Sequence, residues 1–187
     1  MPADRTRRAV LDAAARLLGR NSTASLSDVA AAAGVGRTTV HRCFATREEL
    51  VRALVEDALD QVTEAIAAAR PDRGPADAAL RRVVDAVVPI GVEVRFLTAE
   101  PEMFDDPALM SRWYATLEPI TDAVRRGQDD GLLRADLPTA WIVDLLAGAI
   151  VTAWDSVDEG RLAPREAPGL VFSSVLFGVT RPRDGVR

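Results

Sequence analysis

The chain has 187 residues, 48% of them hydrophobic and 27% charged, and a formal net charge of −5. That composition supplies a buried core and excludes global disorder, while an aromatic content of only 5% favours helices packed on helices over a β-sandwich. A single cysteine and a single histidine exclude an internal disulfide framework, a multi-cysteine metal site and any catalytic scheme that needs two imidazoles.

The N-terminal quarter differs in charge from the rest of the chain. Residues 1–50 hold eight arginines and five acidic residues, a net charge of +3, whereas residues 51–187 hold fifteen arginines and 23 acidic residues, a net charge of −8. No apolar stretch follows the first arginines, because Asp12 and Arg16 interrupt it, so we expect no signal peptide. A basic head on an acidic body indicates a module that binds a polyanion, joined to a module with another role.

Three helices are predicted in the head. Apolar residues at helical spacing predict the first over residues 5–19. Ser25 and Asp28 have the spacing of a capping box at the start of a second, short helix, which Gly34 ends. The third helix, RTTVHRCF, starts after Gly36. Two short helices joined by a glycine turn form a helix-turn-helix, whose second helix fits the major groove of DNA.

A long fourth helix is predicted next. Thr46 and Glu49 have the spacing of a capping box at its start, and the helix runs to about Arg70. Five more helices follow, separated by short breakers: 76–88 and 90–99 on either side of Pro89, 107–128 with Pro119 bending it, and the strongly apolar 138–157 and 165–179. No segment shows sustained alternation of apolar and polar residues, so we predict an all-α fold of about nine helices.

The DNA-binding segment of the TetR-family transcriptional regulators is similar to the stretch DVAAAAGVGRTTVHRCFATREELVRALVE. The most specific matches are Asp28-Val29-Ala30, Ala33-Gly34-Val35, Thr39-Val40, Phe44 and Thr46-Arg47-Glu48-Glu49-Leu50, and the resemblance covers roughly residues 5–60, with a weaker match in length and helical pattern to the end. It implies a helix-turn-helix DNA-binding domain over 1–47 and a helical ligand-binding and dimerisation domain over 48–187. The chain departs from the family where Gly36, His41 and Ala45 replace the usual serine, tyrosine and proline.

By this resemblance seven residues contact DNA: phosphates are assigned to Ser25, Thr38, His41 and Arg47, and base edges to Arg37, Thr39 and Arg42. Other roles stay open for four of them. Ser25 is first a helix cap, and Thr39 can be a plain surface residue. The ring of His41 can pack half-exposed against the head, and Arg47 can be a solvated charge. We interpret Cys43 as a small packing residue, because no second cysteine exists to trap an oxidised form.

The resemblance also implies dimerisation and a ligand site in the body. The last two helices are apolar in almost every direction, which suits burial across a twofold axis; a purely internal core helix is the alternative. The ligand segment gathers residues that suit either the wall of a pocket or a simple core: Phe96, Met103, Phe104, Met110, Trp113, Tyr114 and Leu117. Three acidic residues, Glu93, Glu100 and Glu102, either favour a cationic compound or are solvated loop charges.

The predicted function is a DNA-binding transcriptional regulator: a repressor that binds a palindromic double-stranded operator as a homodimer and is released by an unidentified small molecule. The alternative is a ligand-binding or interaction protein of the same fold without operator binding. Without a Gly-rich phosphate loop, a nucleophile elbow or metal spacing, we expect no enzyme, no metal and no cofactor. The longest apolar stretch spans 14 residues, Trp141–Trp154, against roughly 20 for a membrane span, which favours a cytoplasmic protein without membrane contact.

Overall fold

The computed structural model describes residues 2–19, 21, 23–91 and 106–180. Within these ranges the chain forms eight α-helices: α1 (Pro2–Leu18), α2 (Leu26–Ala33), α3 (Arg37–Cys43), α4 (Arg47–Ala68), α5 (Ala76–Val87), α6 (Pro107–Asp129), α7 (Thr139–Asp158) and α8 (Ala167–Val179). A 3-10 turn, Val88–Ile90, follows α5, and the described ranges contain no strand beyond an isolated bridge between Leu133 and Thr180. The all-α prediction is confirmed, and the predicted helix over 90–99 lies almost wholly outside the described residues.

The described residues fall into two compact units. The first comprises those of 2–61 together with 106–110, and the second those of 62–91 together with 111–180. Helices α4 and α6 therefore each contribute residues to both units. The functional boundary at residue 47 stays a prediction, because this division follows compactness and says nothing of which residues bind DNA.

The first unit has a small core built from one face of each of its helices. Its fully buried side chains include Val10 of α1, Val29 of α2, Val40 of α3 and Leu50 of α4. On α1 the apolar residues Leu11, Ala13, Ala14 and Leu18 are also buried, whereas Leu17 is only half-buried. Burial of this kind, more than helix propensity, keeps helices as short as α2 and α3 folded.

Helix α4 begins with a capping arrangement that differs from the prediction in one bond. The backbone amide of Glu49 donates to the Thr46 hydroxyl at 3.1 Å, as a capping box requires. The Glu49 carboxylate, however, accepts from the amide of Ala45 at 2.8 Å, one residue before the expected partner. One free amide of the helix start, that of Glu49, thus has a side-chain acceptor, and the amide just before the cap residue has another.

The C-terminal end of α4 is held by an arginine from α5. The Arg82 guanidinium donates to the carbonyl oxygens of Ala69 at 2.8 Å, Arg70 at 2.8 Å and Arg73 at 2.6 Å. Carbonyl oxygens at the end of a helix often lack amide partners, and a guanidinium supplies several donors in one plane. The carbonyl of Arg70 also accepts from the amide of Arg73, at 3.0 Å. This contact fixes the turn between α4 and α5, where Arg70 has a positive φ of 51°.

Two prolines in the body differ in whether they end a helix. Pro89 lies in the 3-10 turn after Val87, so of the two predicted roles, kink or boundary, it marks a boundary. Next to this proline, the indole of Trp154 donates to the carbonyl of Val88 at 2.9 Å. The same ring lies so close to Gly91 that a Cβ added to that glycine would be 2.0 Å from it. Pro119 lies inside α6 without ending it.

Candidate nucleic-acid interface

Helix α2 starts with the predicted capping box. The amide of Asp28 donates to the Ser25 hydroxyl oxygen at 3.3 Å, and the amide of Ser25 donates to the Asp28 carboxylate at 2.8 Å. The Ser25 hydroxyl also donates to that carboxylate, at 2.7 Å. These hydrogen bonds, the hydroxyl first, lower the pKa of Asp28 below its ordinary value, with a smaller contribution from the charge of Arg37. The predicted cap is confirmed, and the hydroxyl hydrogen of Ser25 is used within the box.

The turn between α2 and α3 depends on Gly34. This residue has φ of 65° and ψ of 29°, the left-handed conformation that a side chain disfavours. The amides of Gly34 and Val35 then close the end of α2 by donating to Ala31 at 3.2 Å and Ala30 at 3.0 Å. Two residues later Gly36 begins α3 in an extended conformation and supplies no side-chain cap. The glycine stop predicted from the sequence therefore sets the angle at which α3 leaves α2.

Helix α3 has a buried side and an exposed polar side. Val40 is fully buried and Phe44, the C-cap, is nearly so, while Cys43 is half-buried. Four of the residues assigned to DNA lie exposed on the other side, and we call them the outer face of α3: Arg37, Thr38, His41 and Arg42. Thr39 is half-buried beside them.

The outer face of α3 is not neutralised by ion pairs within the described part of the chain. There the side chains of Arg37, His41 and Arg42 form no hydrogen bond or salt bridge, and the charge of Arg37 is only the smallest of the influences on Asp28, whereas Arg8 on α1 pairs with both Asp12 and Asp57. Guanidinium groups that are not neutralised internally bind phosphates or the O6 and N7 atoms of guanine, with two parallel hydrogen bonds. The outer face of α3 is thus chemically suited to the major groove of DNA.

Two further arginines bear on this interface. Arg47, at the start of α4, is half-buried and already has an interaction within the chain, so a phosphate contact would compete with it. Arg7, which the sequence analysis did not single out, lies over the ring of Phe44 with its guanidinium carbon 4.9 Å from the ring centroid. The arginine-rich start of the chain was the available signal, but the contact with a residue 37 positions later was not readable from it.

The residues assigned to a ligand are divided by the structure. Met110, Trp113 and Leu117 are half-buried on α6, Tyr114 is 65% exposed, and Phe96, Met103 and Phe104 lie outside the described residues. A polar residue that the sequence analysis missed lies on the same helix: Thr116 is only 6% exposed, and its hydroxyl is 2.8 Å from that of Thr63 on α4. Its position seven residues after Leu109 and four before Ile120 was the signal for burial.

The last two helices present an apolar surface. Four large side chains, which we call the α7/α8 face, are exposed: Trp141 and Leu145 on α7, and Leu170 and Phe177 on α8. A groove of about 580 Å³ runs between the two helices, with Gly148 and Ala149 in its lining. Helix α7 is long and apolar enough to cross a membrane, by length and composition alone, but only a third of that stretch is buried and the charged Asp144 lies exposed in it. Core helices of soluble proteins pass the same test.

Comparison with known proteins gives matches over the head and over the whole chain. The family described as "Bacterial regulatory proteins, tetR family" matches residues 10–54, from the middle of α1 into α4. The chain is 36% identical over 180 residues to the HTH-type transcriptional repressor LfrR of Mycolicibacterium smegmatis, covering 96% of this chain and 94% of the relative. It is 27% identical over 161 residues to the HTH-type transcriptional regulator NfxB of Pseudomonas aeruginosa, covering 85% of this chain and 86% of that one.

A solved structure agrees with these sequence matches. The crystal structure of the TetR-like regulator LfrR from Mycobacterium smegmatis in complex with proflavine has a TM-score of 0.81 and 34% identity, covering 97% of this chain and 100% of that one. The likeness therefore extends through the body as well as the helix-turn-helix.

Proposed function

The chain belongs to the TetR family of bacterial regulatory proteins, and from that premise we propose that it is a ligand-responsive repressor that binds a palindromic operator as a homodimer. Its general function is that of the family: it is a DNA-binding transcriptional regulator, soluble and not an enzyme. We infer a cytoplasmic location, where the DNA that it binds lies.

The single observation that carries DNA binding is the outer face of α3. Exposed arginines that form no ion pair with the described residues lie on the second helix of a helix-turn-helix, whose buried residues Val40 and Phe44 fix its orientation. We propose that Arg37, Thr39 and Arg42 contact base edges, and that Thr38, His41, Arg47 and Ser25 contact phosphates. For Ser25 the contact uses a hydroxyl oxygen already engaged by Asp28, so its cap role comes first.

Homodimerisation through the α7/α8 face is the second part of the proposal. One helix-turn-helix offers little contact area, and a palindrome needs two copies of α3 about 34–36 Å apart, in successive major grooves. Trp141, Leu145 and Leu170 line an apolar groove, and Phe177 is exposed on the same helix as Leu170. Such side chains are costly to leave in water, and a twofold axis would make them a self-complementary patch. The small residues Gly148 and Ala149 allow close approach of the partner's backbone.

Release by a small molecule is the third part. LfrR, the relative described above, was solved in complex with proflavine, a planar aromatic cation. We propose that this chain takes a compound of that class against the half-buried apolar residues Met110, Trp113 and Leu117 of α6. Quenching of proflavine fluorescence on titration with the protein, and release of bound duplex by proflavine, test this part separately from DNA binding.

The mechanism that we propose is a two-state switch in which α4 is the lever, since it joins the helix-turn-helix to the body. A ligand that prefers the state with poorly spaced heads weakens operator binding by the same factor by which the operator weakens ligand binding. For an effect of about 100-fold, the ligand needs roughly 2.7 kcal/mol of preference for that state.

The deciding experiment is binding of the purified protein to the duplex just upstream of its own gene, titrated across salt concentration. We expect a footprint over a palindrome and a log–log salt slope of about −0.9 per phosphate neutralised. If binding is weak and blind to sequence, selection of genomic fragments with the same protein follows. An empty selection would contradict the proposal and favour a ligand-binding protein of the same fold.

A further inference from the structure

The start of α6 is capped by a carboxylate that has a second partner. One oxygen of Asp106 accepts from the backbone amides of Ala108 at 2.8 Å and Leu109 at 3.3 Å, which satisfies two of the free amides at the start of the helix. Asp106 directly precedes α6, so the cap itself is an ordinary feature of a helix border.

The other oxygen of Asp106 reaches a residue 54 positions earlier. It accepts from the Arg52 guanidinium on α4 at 2.6 Å, and this ion pair joins two helices that are remote in sequence. Arg52 is the largest cause of the lowered pKa of Asp106, ahead of the two backbone amides. The Asp106 side chain is only 22% exposed, so solvent screens the pair less than it screens the other ion pairs of α5 and α6.

The position of this pair gives it a consequence beyond stability. Arg52 lies five residues after the start of α4, in the part of that helix that is nearest to α3 along the chain. Asp106 precedes the turn of α6 that leads to Met110, Trp113 and Leu117. Residues 106–110 belong to the same compact unit as the helix-turn-helix, while the rest of α6 belongs to the other unit. The pair therefore joins the first turn of α6 to the N-terminal part of α4, and each of these helices contributes residues to both units.

We propose that Asp106 is a positioning residue: its contact with Arg52 couples α6 to α4, so that a change at α6 on ligand binding alters α4 and the helix-turn-helix, and operator binding in turn alters α6. This inference rests on the proposed function, because it concerns the coupling between operator and ligand. A test of it must remove only the bond between the two helices and leave both helix caps in place.

The chain offers variants that separate these roles. Asp106→Asn keeps an oxygen for the cap, since Asn caps as well as Asp, but removes the charge that binds Arg52. Arg52→Gln removes the pair from the other side without touching the cap. Arg52 also pairs with Glu56 on its own helix, Nε to Oε1 at 3.2 Å, so Glu56→Gln is a matched control with the same loss of charge and no contact with α6. Arg52→Lys keeps the positive charge and should retain part of the coupling.

The experiment is hydrogen exchange of the full-length protein with and without the duplex that the wild type footprints. In the wild type, we expect operator binding to change the exchange rates of amides in 111–129, although these residues lie on α6 and not in the helix-turn-helix. In Asp106→Asn and Arg52→Gln that change should shrink by at least about threefold, the range seen for substitutions along coupling networks. Glu56→Gln should keep the full change, and all variants should melt within a few degrees of the wild type.

The alternative outcomes are distinct. An operator effect on 111–129 that is the same in Asp106→Asn as in the wild type would overturn the inference. So would a wild type that binds operator without any change in α6, or an equal loss in Glu56→Gln, which would show a general effect of charge on α4. A wild type that binds no specific duplex would overturn the proposed function, and the inference with it, before any variant is compared.

Discussion

The outer face of α3 and the α7/α8 face are both surfaces that a single chain leaves unsatisfied, but in opposite chemistries. On α3 the exposed residues are two arginines, a histidine and a threonine, and none of their side chains forms an ion pair among the described residues. On α7 and α8 they are large apolar side chains, with Phe177 84% exposed. Elsewhere in the described chain most arginines pair with a carboxylate or a carbonyl. What each face lacks thus indicates its partner: a polyanion for α3, a second apolar surface for α7 and α8.

The largest expected effect is on operator affinity. Replacing both Arg37 and Arg42 by alanine should weaken specific duplex binding by at least about a hundredfold, because each residue is expected to supply a charge-assisted contact of 1–3 kcal/mol. Electrophoretic mobility shift at fixed salt measures it, with circular dichroism to confirm the fold. The matched control is Arg161→Ala with Arg165→Ala, which removes the same charge from the segment between α7 and α8. If both doubles lose affinity equally, only net charge matters and the outer face of α3 has no special role.

The next effect concerns the apolar face. Phe177→Ala should weaken the dimer by about thirtyfold or more, since a large aromatic buried at an interface contributes about 2 kcal/mol or more. Sedimentation equilibrium over a range of protein concentrations gives the dimer constant. Tyr114→Ala is the control, because this aromatic is also largely exposed, at 65%, but lies on α6 and not on α7 or α8. Unchanged dimerisation in Phe177→Ala, or a loss in both variants, would contradict the assignment of the face.

A smaller effect tests the geometry that presents α3. Gly34→Ala should destabilise the protein by about 1 kcal/mol, because the left-handed φ of 65° strains any residue with a Cβ. No atom lies within 4 Å of that Cβ, so a clash cannot be the cause. The free energy of unfolding in urea measures the loss. Gly169→Ala in α8, where the added methyl is equally unhindered, the backbone is helical and the residue does not line the apolar groove, should not destabilise the chain. An equal loss of unfolding free energy in both variants would show that the left-handed conformation of Gly34 is not the cause.

The structure bears out those parts of the sequence analysis that depend on neighbouring residues. The Ser25 and Asp28 box and the Gly34 stop were predicted to the residue, and α4 starts at Arg47, directly after the predicted cap Thr46, because caps and turns are made by side chains within four positions of each other. Contacts between distant residues were not predictable. Nothing in the sequence pairs Arg52 with Asp106. The helical spacing of Tyr114 is compatible with either a buried or an exposed side chain, and in the structure the side chain is exposed.

The smallest effect distinguishes the acid sensitivity of the two regions. The pKa of Asp28 in the head is lowered chiefly by the Ser25 hydroxyl, and that of Asp136 in the body chiefly by Arg134. A carboxyl whose pKa is lower in the folded chain contributes stability above its ordinary value, here 3.8, and loses it as the pH falls through the folded value. Asp28→Asn and Asp136→Asn should therefore each lower the melting temperature slightly at pH 6, and both differences from the wild type should shrink as the pH falls below 3.8.

Salt separates the two carboxyls further. The Asp136 contribution comes from an exposed ion pair, with Nη2 to Oδ2 at 2.7 Å, so it should shrink in 1 M salt, where the screening length is about 3 Å. The Asp28 contribution comes from hydrogen bonds to a hydroxyl and a backbone amide and should persist. Melting curves of both variants at pH 6, in low and high salt, compare them directly. A salt-sensitive Asp28→Asn difference would show that its cap acts through the charge of Arg37 instead, and would make that arginine less free for DNA than the outer face of α3 requires.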